Sequence, residues 1–113
     1  MKKVLVVEGE RYWYYIWRRA LDGKVTLLGA TSAAGTEKQL AENSDIAVIV
    51  VGMCEPLDIS LLPFVRKLRS VFMGPMIGVS AEPDYQRRLR DAGCDHASTK
   101  RSMPGKLMEV LGP

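Results

Sequence analysis

Short apolar runs alternate along the chain with longer stretches whose apolar positions recur at helical spacing. Residues 4–7 form a first β-branched and leucine run, and residues 25–28 a second. Ile46–Val51 reads Ile-Ala-Val-Ile-Val-Val and is apolar at every position. Met76–Val79 is a fourth run and His96–Ser98 a weaker fifth. Strands that are apolar on both faces belong in a parallel sheet covered by helices above and below.

The intervening stretches read as helices. Residues 10–21 place Trp13, Ile16, Trp17 and Ala20 on one stripe, and Gly23 follows as a stop. Residues 36–43 predict a short second helix with Leu40 and Ala41 facing inward. Residues 60–72 predict a third, with Ser60 as N-cap and Pro63 in the first turn, where a missing N–H removes no helical bond. Its inner stripe is Leu61, Val65, Leu68 and Phe72, and Gly74-Pro75 end it. Pro83 opens a fourth helix running to Ala92, with Gly93 as its stop, and residues 106–111 form a short fifth. The order βαβαβαβαβα predicts an α/β fold, a doubly wound, flavodoxin-like five-stranded parallel sheet in one domain spanning residues 1–113.

Composition narrows the class further. The 113 residues are 47% hydrophobic and 26% charged, which excludes a disordered or fibrous chain. The longest uncharged apolar stretch, residues 46–54, is nine residues against the roughly 20 that a membrane helix needs. The four apolar residues between Lys3 and Glu8 are too few for a secretory signal. Cys54 and Cys94 cannot make a disulfide framework and read as free thiols of a cytoplasmic protein. A net charge of +3 argues only weakly for an acidic partner.

In such sheets the working site lies at the carboxyl ends of the strands, where the strand order reverses. Those ends carry Glu8-Gly9-Glu10, Gly52-Met53-Cys54-Glu55-Pro56, Ser80-Ala81 and Thr99-Lys100-Arg101. These turns resemble the receiver domain of bacterial two-component response regulators. Glu8-Gly9-Glu10 resembles the acidic end of that family's first strand, and Met53-Cys54-Glu55-Pro56 the turn after its phosphoacceptor strand. Ser80-Ala81 matches its Thr/Ser-Ala, Ala92-Gly93-Cys94-Asp95-His96 resembles Ala-Gly-Ala-Asp-Asp, and Ser98-Thr99-Lys100 matches the approach to its lysine. The resemblance implies the (βα)5 receiver fold and a role in phosphorelay signal transduction.

The departures matter more. Gly52 stands where the family has its phosphoacceptor aspartate, and glycine cannot form an acyl phosphate. Gly9 replaces the second member of the Mg²⁺-holding pair, and Glu8 alone is a poor ligand set for an ion that wants near-ideal octahedral oxygen coordination. Arg101 replaces the proline after the lysine, and Ala97 the switching aromatic. Ser80 and Lys100 survive, and Lys100 is expected to pair with Glu8, because a partly buried lysine without a partner carries a desolvation cost. The resemblance thus implies a degenerate site of Glu8, Gly9, Gly52, Ser80 and Lys100, with no cofactor and weak or absent Mg²⁺ binding. Cys54 has no basic neighbour to activate it, Asp58 reads as a turn residue, and His96 as a surface or partly packed side chain. No His/Cys/Asp cluster has metal-binding spacing.

Two surfaces could carry a partner. Five of the eight aromatic residues lie between Tyr12 and Trp17, and Tyr15 points away from the inner stripe beside Arg11, Arg18 and Arg19. Tyr and Arg are enriched at interface hot spots. Arg87, Arg88 and Arg90 cluster on the fourth helix, with Arg101 and Lys106 beyond; the resemblance makes this a partner or dimer face. The reading is a non-enzymatic, phosphorylation-independent pseudo-receiver that binds a protein partner or a fused output domain. The alternatives are a nucleic-acid accessory using Tyr15 and the arginines, or a small-ligand binder in the space that Gly9 and Gly52 leave.

Overall fold

The computed structural model describes residues 1–52 and 61–113. Five strands, β1 (Lys3–Val7), β2 (Thr26–Ala30), β3 (Ile46–Val51), β4 (Met76–Val79) and β5 (His96–Ser98), form one all-parallel sheet in the order β2-β1-β3-β4-β5. Five helices alternate with them: α1 (Arg11–Ala20), α2 (Ala33–Glu42), α3 (Leu62–Val71), α4 (Pro83–Ala92) and α5 (Met103–Leu111).

The unbroken apolar runs are explained by two cores. Strand side chains alternate between faces. Val4, Val6, Val48 and Val50 point to one side and meet Trp17 and Leu21 of the α1 segment with Met103 and Leu107 of α5. Leu5, Val7, Ile49 and Val51 point to the other and meet Val65 and Leu68 of α3 with Leu89 and Ala92 of α4. The β1-to-β2 crossover runs opposite to the next three, so right-handed crossovers put α1 and α2–α4 on opposite faces.

Several expectations need correction. Strand β2 begins and ends one or two residues later than the apolar run suggests. Helix α2 starts at Ala33 because Ser32 is its N-cap, its hydroxyl accepting the Gly35 N–H at 3.1 Å. The fully buried side chain of α2 is Thr36, which satisfies its hydroxyl on the Ser32 carbonyl at 2.8 Å; Leu40 packs half-buried against the core as expected, whereas Ala41 is exposed. Ala20 is exposed too, and Leu21 fills the inner position. Helix α5 starts three residues early, at Met103, with Pro104 in its first turn. The proposed cap Ser60 lies outside the described residues, while Pro63 occupies the first turn of α3 as expected.

Strand β2 is an edge, and its free side is covered. Residues of the Thr26 and Ala30 parity bond to β1, so the Leu27 and Gly29 carbonyls point outward. Tyr14 Oη donates to the first at 3.3 Å and Gln39 Nε2 to the second at 3.1 Å. Capped acceptors make a poor template for another strand.

At the other end of the sheet, Gly78 lets α4 approach β4. A Cβ there would lie 2.9 Å from Leu89 Cβ and 3.2 Å from Cys94 Sγ. Overpacking a well-filled core costs typically about 1–3 kcal/mol. Gly78→Ala is therefore expected to lower the unfolding free energy by about that amount, read as a lower urea midpoint with an unchanged m-value; an equal or higher midpoint would show that α4 yields freely.

Candidate functional site

Register brings Glu8 and Gly52 together. Val7 pairs with Val51, and the Gly52 N–H donates to the Val7 carbonyl at 2.7 Å, so Glu8 and Gly52 end adjacent strands side by side. The Glu8 side chain is completely buried and turned toward Gly52. A Cβ built on Gly52 would collide with Glu8 Oε2 and lie 3.1 Å from its Cδ. The carboxylate of β1 thus fills the volume that a side chain at the end of β3 would need. The room expected there for a small ligand is taken by Glu8.

Lys100 closes the arrangement. Its Nζ lies 3.0 Å from Glu8 Oε1 and 2.9 Å from Glu10 Oε1, and 6.0 Å from the centroid of the Trp13 ring. Its backbone carbonyl accepts the Trp17 indole N–H at 2.8 Å. Trp13 is half-buried, packing against the α1–α5 core as expected and also lying beside the ammonium. On either side of Lys100 and Arg101, Thr99 and Ser102 bond reciprocally: each backbone N–H reaches the other's hydroxyl at 3.2 Å. That local bracket fixes the loop that carries the lysine.

The electrostatics follow from burial. Desolvation pushes the Glu8 carboxyl above its ordinary range, and the hydrogen bond and charge of Lys100 pull it only partly back. Glu8 Oε2 has no hydrogen-bond partner among the described residues. Burial also works against the charged form of Lys100, but the bonds and charges of Glu10 and Glu8 outweigh it and raise its pKa. Two carboxylates share one ammonium.

Of the predicted site residues, Glu8, Gly52 and Lys100 converge, and Gly9 lies half-buried in the turn beside Glu8. Ser80 is engaged elsewhere: its hydroxyl accepts the Glu82 N–H at 3.1 Å and its carbonyl the Gln86 amide at 2.7 Å, at the head of α4. Glu10 is the member that residue-by-residue reading understates. It sits at the N-cap position of α1 but makes no side-chain cap, its carboxylate going to Lys100. Cys54, Glu55 and Asp58 lie outside the described residues. Cys94 is a free, buried thiol pushed up to about 12 by burial and then by Asp95, so it is not a nucleophile at neutral pH. His96 pairs with Ile77 as the first residue of β5 and is half-buried.

These residues do not fit the Mg²⁺ that the resemblance would imply. An ammonium already engages both carboxylates, the two glycines supply no oxygen side chains, and no group of three His, Cys, Asp or Glu among the described residues could hold a metal ion. Tyr15 and Arg18 lie exposed on α1; Arg87, Arg88 and Arg90 are exposed on α4, and Arg101 is exposed before α5. Arg87 pairs with Asp84 at 3.4 Å, whereas Arg88, Arg90 and Arg101 have no ion-pair partner among the described residues. No helix among the described residues is long and apolar enough to cross a membrane.

Solved structures share this architecture. A two-component response regulator from Clostridium difficile superposes with a TM-score of 0.84 at 16% identity, over 98% of this chain and 96% of that one. The receiver domain of the TMAO respiratory system response regulator TorR gives 0.84 at 20% identity, over 98% and 97%. The N-terminal signal receiver domain of a response regulator from Bacteroides fragilis gives 0.82 at 16% identity, over 98% and 93%. At these identities the likeness is one of fold, and the fold is the flavodoxin-like receiver fold. No protein-family model and no curated protein matches the sequence.

The raised Glu8 pKa sets a pH signature. Ionising Glu8 is harder in the folded chain than in the unfolded one, where its value is 4.5, so its contribution is most favourable below that pH and is lost as pH rises through the higher folded value. Glutamine does not titrate. The stability of Glu8→Gln relative to the parent should therefore improve between about pH 4 and about pH 7 in urea unfolding. A flat difference would mean that Lys100 fully compensates the buried charge.

Proposed function

We propose that this chain is a receiver-type signalling module that works without phosphorylation, a non-enzymatic domain of fixed shape that binds a protein partner or a fused output domain. The observation that carries this reading is Glu8. Its carboxylate occupies the space beside Gly52 and holds Lys100 together with Glu10. In a working receiver, an aspartate there accepts the phosphoryl group and the lysine senses it. Here the lysine is already neutralised, and the acceptor is absent. Mg²⁺ binding is correspondingly weak.

Solved proteins of the same fold support the partner class. A probable two-component system response regulator/GGDEF domain protein matches over 98% of this chain and 49% of its own length, at 19% identity and a TM-score of 0.84, with further chain beyond the shared fold. The face proposed for contact is α4 to α5. Arg88, Arg90 and Arg101 are exposed there, and their unpaired charges are available to an acidic surface. The Ser80 hydroxyl, bonded locally at the start of α4, has no part in that contact.

With millimolar Mg²⁺ and a small phosphodonor, intact mass should show no covalent gain. Gly52→Asp alone should also remain unmodified and should melt below the parent, because its side chain must displace the Glu8 carboxylate. Acquisition of one phosphoryl group by the parent protein, located in the strand-end turns, would sink the proposal.

Partner binding gives a second measure. Arg88→Glu should slow association, with the loss shrinking as salt rises, whereas Ser80→Ala should leave binding unchanged. Equal losses from both substitutions would mean that the site still communicates with α4.

A further inference from the structure

A cavity of about 530 Å³ lies between α1 and α2, across the C-terminal end of edge strand β2. Its size falls within the roughly 300–1,000 Å³ typical of small-molecule sites. It is built by helical periodicity. Arg11, Tyr14, Tyr15 and Arg18 form one stripe of α1, at spacings of three, one and three residues. Lys38 and Glu42 face it from α2, four residues apart.

The floor is not a docking edge for an extended peptide. Tyr14 and Gln39 already cap the outward carbonyls of Leu27 and Gly29. The Tyr14 ring lies over Gly29, where an added Cβ would come within 3.1 Å of it. Side chains rather than main chain therefore present the recognition groups. Arg11, Arg18 and Lys38 line the cavity without an ion-pair partner among the described residues, against one unpaired carboxylate, Glu42. The other acid at the wall, Glu8, is held by Lys100. Three cations facing one free carboxylate leave a net positive lining, and an anion bound among them relieves their repulsion. The Tyr14 and Tyr15 rings, 6.1 Å apart and tilted by 52°, stand between the two arginines, and Tyr15 is 58% exposed. A π-face on the same helical stripe as two arginines suits a planar ring that carries an anionic group.

We propose that this cavity binds an organic phosphate bearing a planar ring, of which a nucleoside monophosphate is the simplest member. Arg18 and Lys38 take the phosphate from opposite walls, and Tyr15 takes the ring. The site lies on the α1–α2 side and does not depend on whether the domain accepts phosphate at its strand ends.

Isothermal titration of the full chain with each of the four common nucleoside monophosphates, with adenosine and with inorganic phosphate tests the assignment. At least one nucleotide should bind with a dissociation constant below about 1 mM and at least about tenfold more tightly than either half-ligand. Arg18→Ala, Lys38→Ala and Tyr15→Ala should each weaken it by about tenfold, as expected for loss of a charge-assisted bond or a stacking face. All three side chains are exposed, and unchanged circular dichroism melts would show that the variants fold. Arg66→Ala, exposed on α3, should leave binding intact. The proposal is overturned if no nucleotide surpasses inorganic phosphate, if Arg66→Ala weakens binding as much as Arg18→Ala, or if single-stranded DNA binds with affinity rising steadily with length, which would make the surface a nucleic-acid groove.

Discussion

A carboxylate without water needs a cation, and the top of this molecule is organised by that requirement. Glu8 ends a strand buried on both faces, so its side chain has no route to solvent except past its neighbours. Turned into the gap beside Gly52, it meets Lys100 from the far side of the sheet. The lysine must then be held in place, and three different devices do so. Glu10 shares its charge, Trp13 lies beside its ammonium, and Trp17 fixes its carbonyl. Strands β1 and β5 are not neighbours, yet this cluster joins their ends and ties α1 to the loop before α5. Removing one partner of such a pair leaves a buried charge unanswered, which is generally worse than losing the pair as a whole.

The fold was legible because burial on both faces writes itself into sequence. Ile46–Val51 has no polar position, and that pattern has few other uses. Helix α3 was legible from its inner stripe, and α4 from Pro83 at its start and Gly93 at its stop. Helix α2 was legible as an element but not at its start, since its fully buried residue is Thr36, a polar side chain satisfied by the carbonyl four residues before it, and its first turn depends on the Ser32 cap rather than on an apolar position. The Lys100–Glu8 contact followed from charge arithmetic at the strand ends. What could not be read was the direction of the Glu8 side chain, because it depends on a missing Cβ on a different strand. The ammonium beside Trp13 was hidden likewise: helical spacing places the ring on the core face but does not say which charge lies at its outer side.

The two helical surfaces differ in kind. On α4 the arginines stand on an open helix face with acidic residues between them, and Arg87 already uses Asp84. On α1 the arginines lie along the wall of a concavity whose other side is a second helix. An open basic face suits a broad protein surface, whereas a walled one favours a compact group that can be surrounded. The same residue type therefore carries different meaning at Arg18 and at Arg88, and only the shape around each separates them.

Cys94 lies where α4 closes on β4 and β5, 4% exposed and with its thiol held almost entirely protonated at neutral pH. Electrophiles can meet its thiolate only when that layer opens. Its rate of alkylation would therefore be the exposed thiol's own rate scaled down by the fraction of time the layer between α4 and the sheet is open.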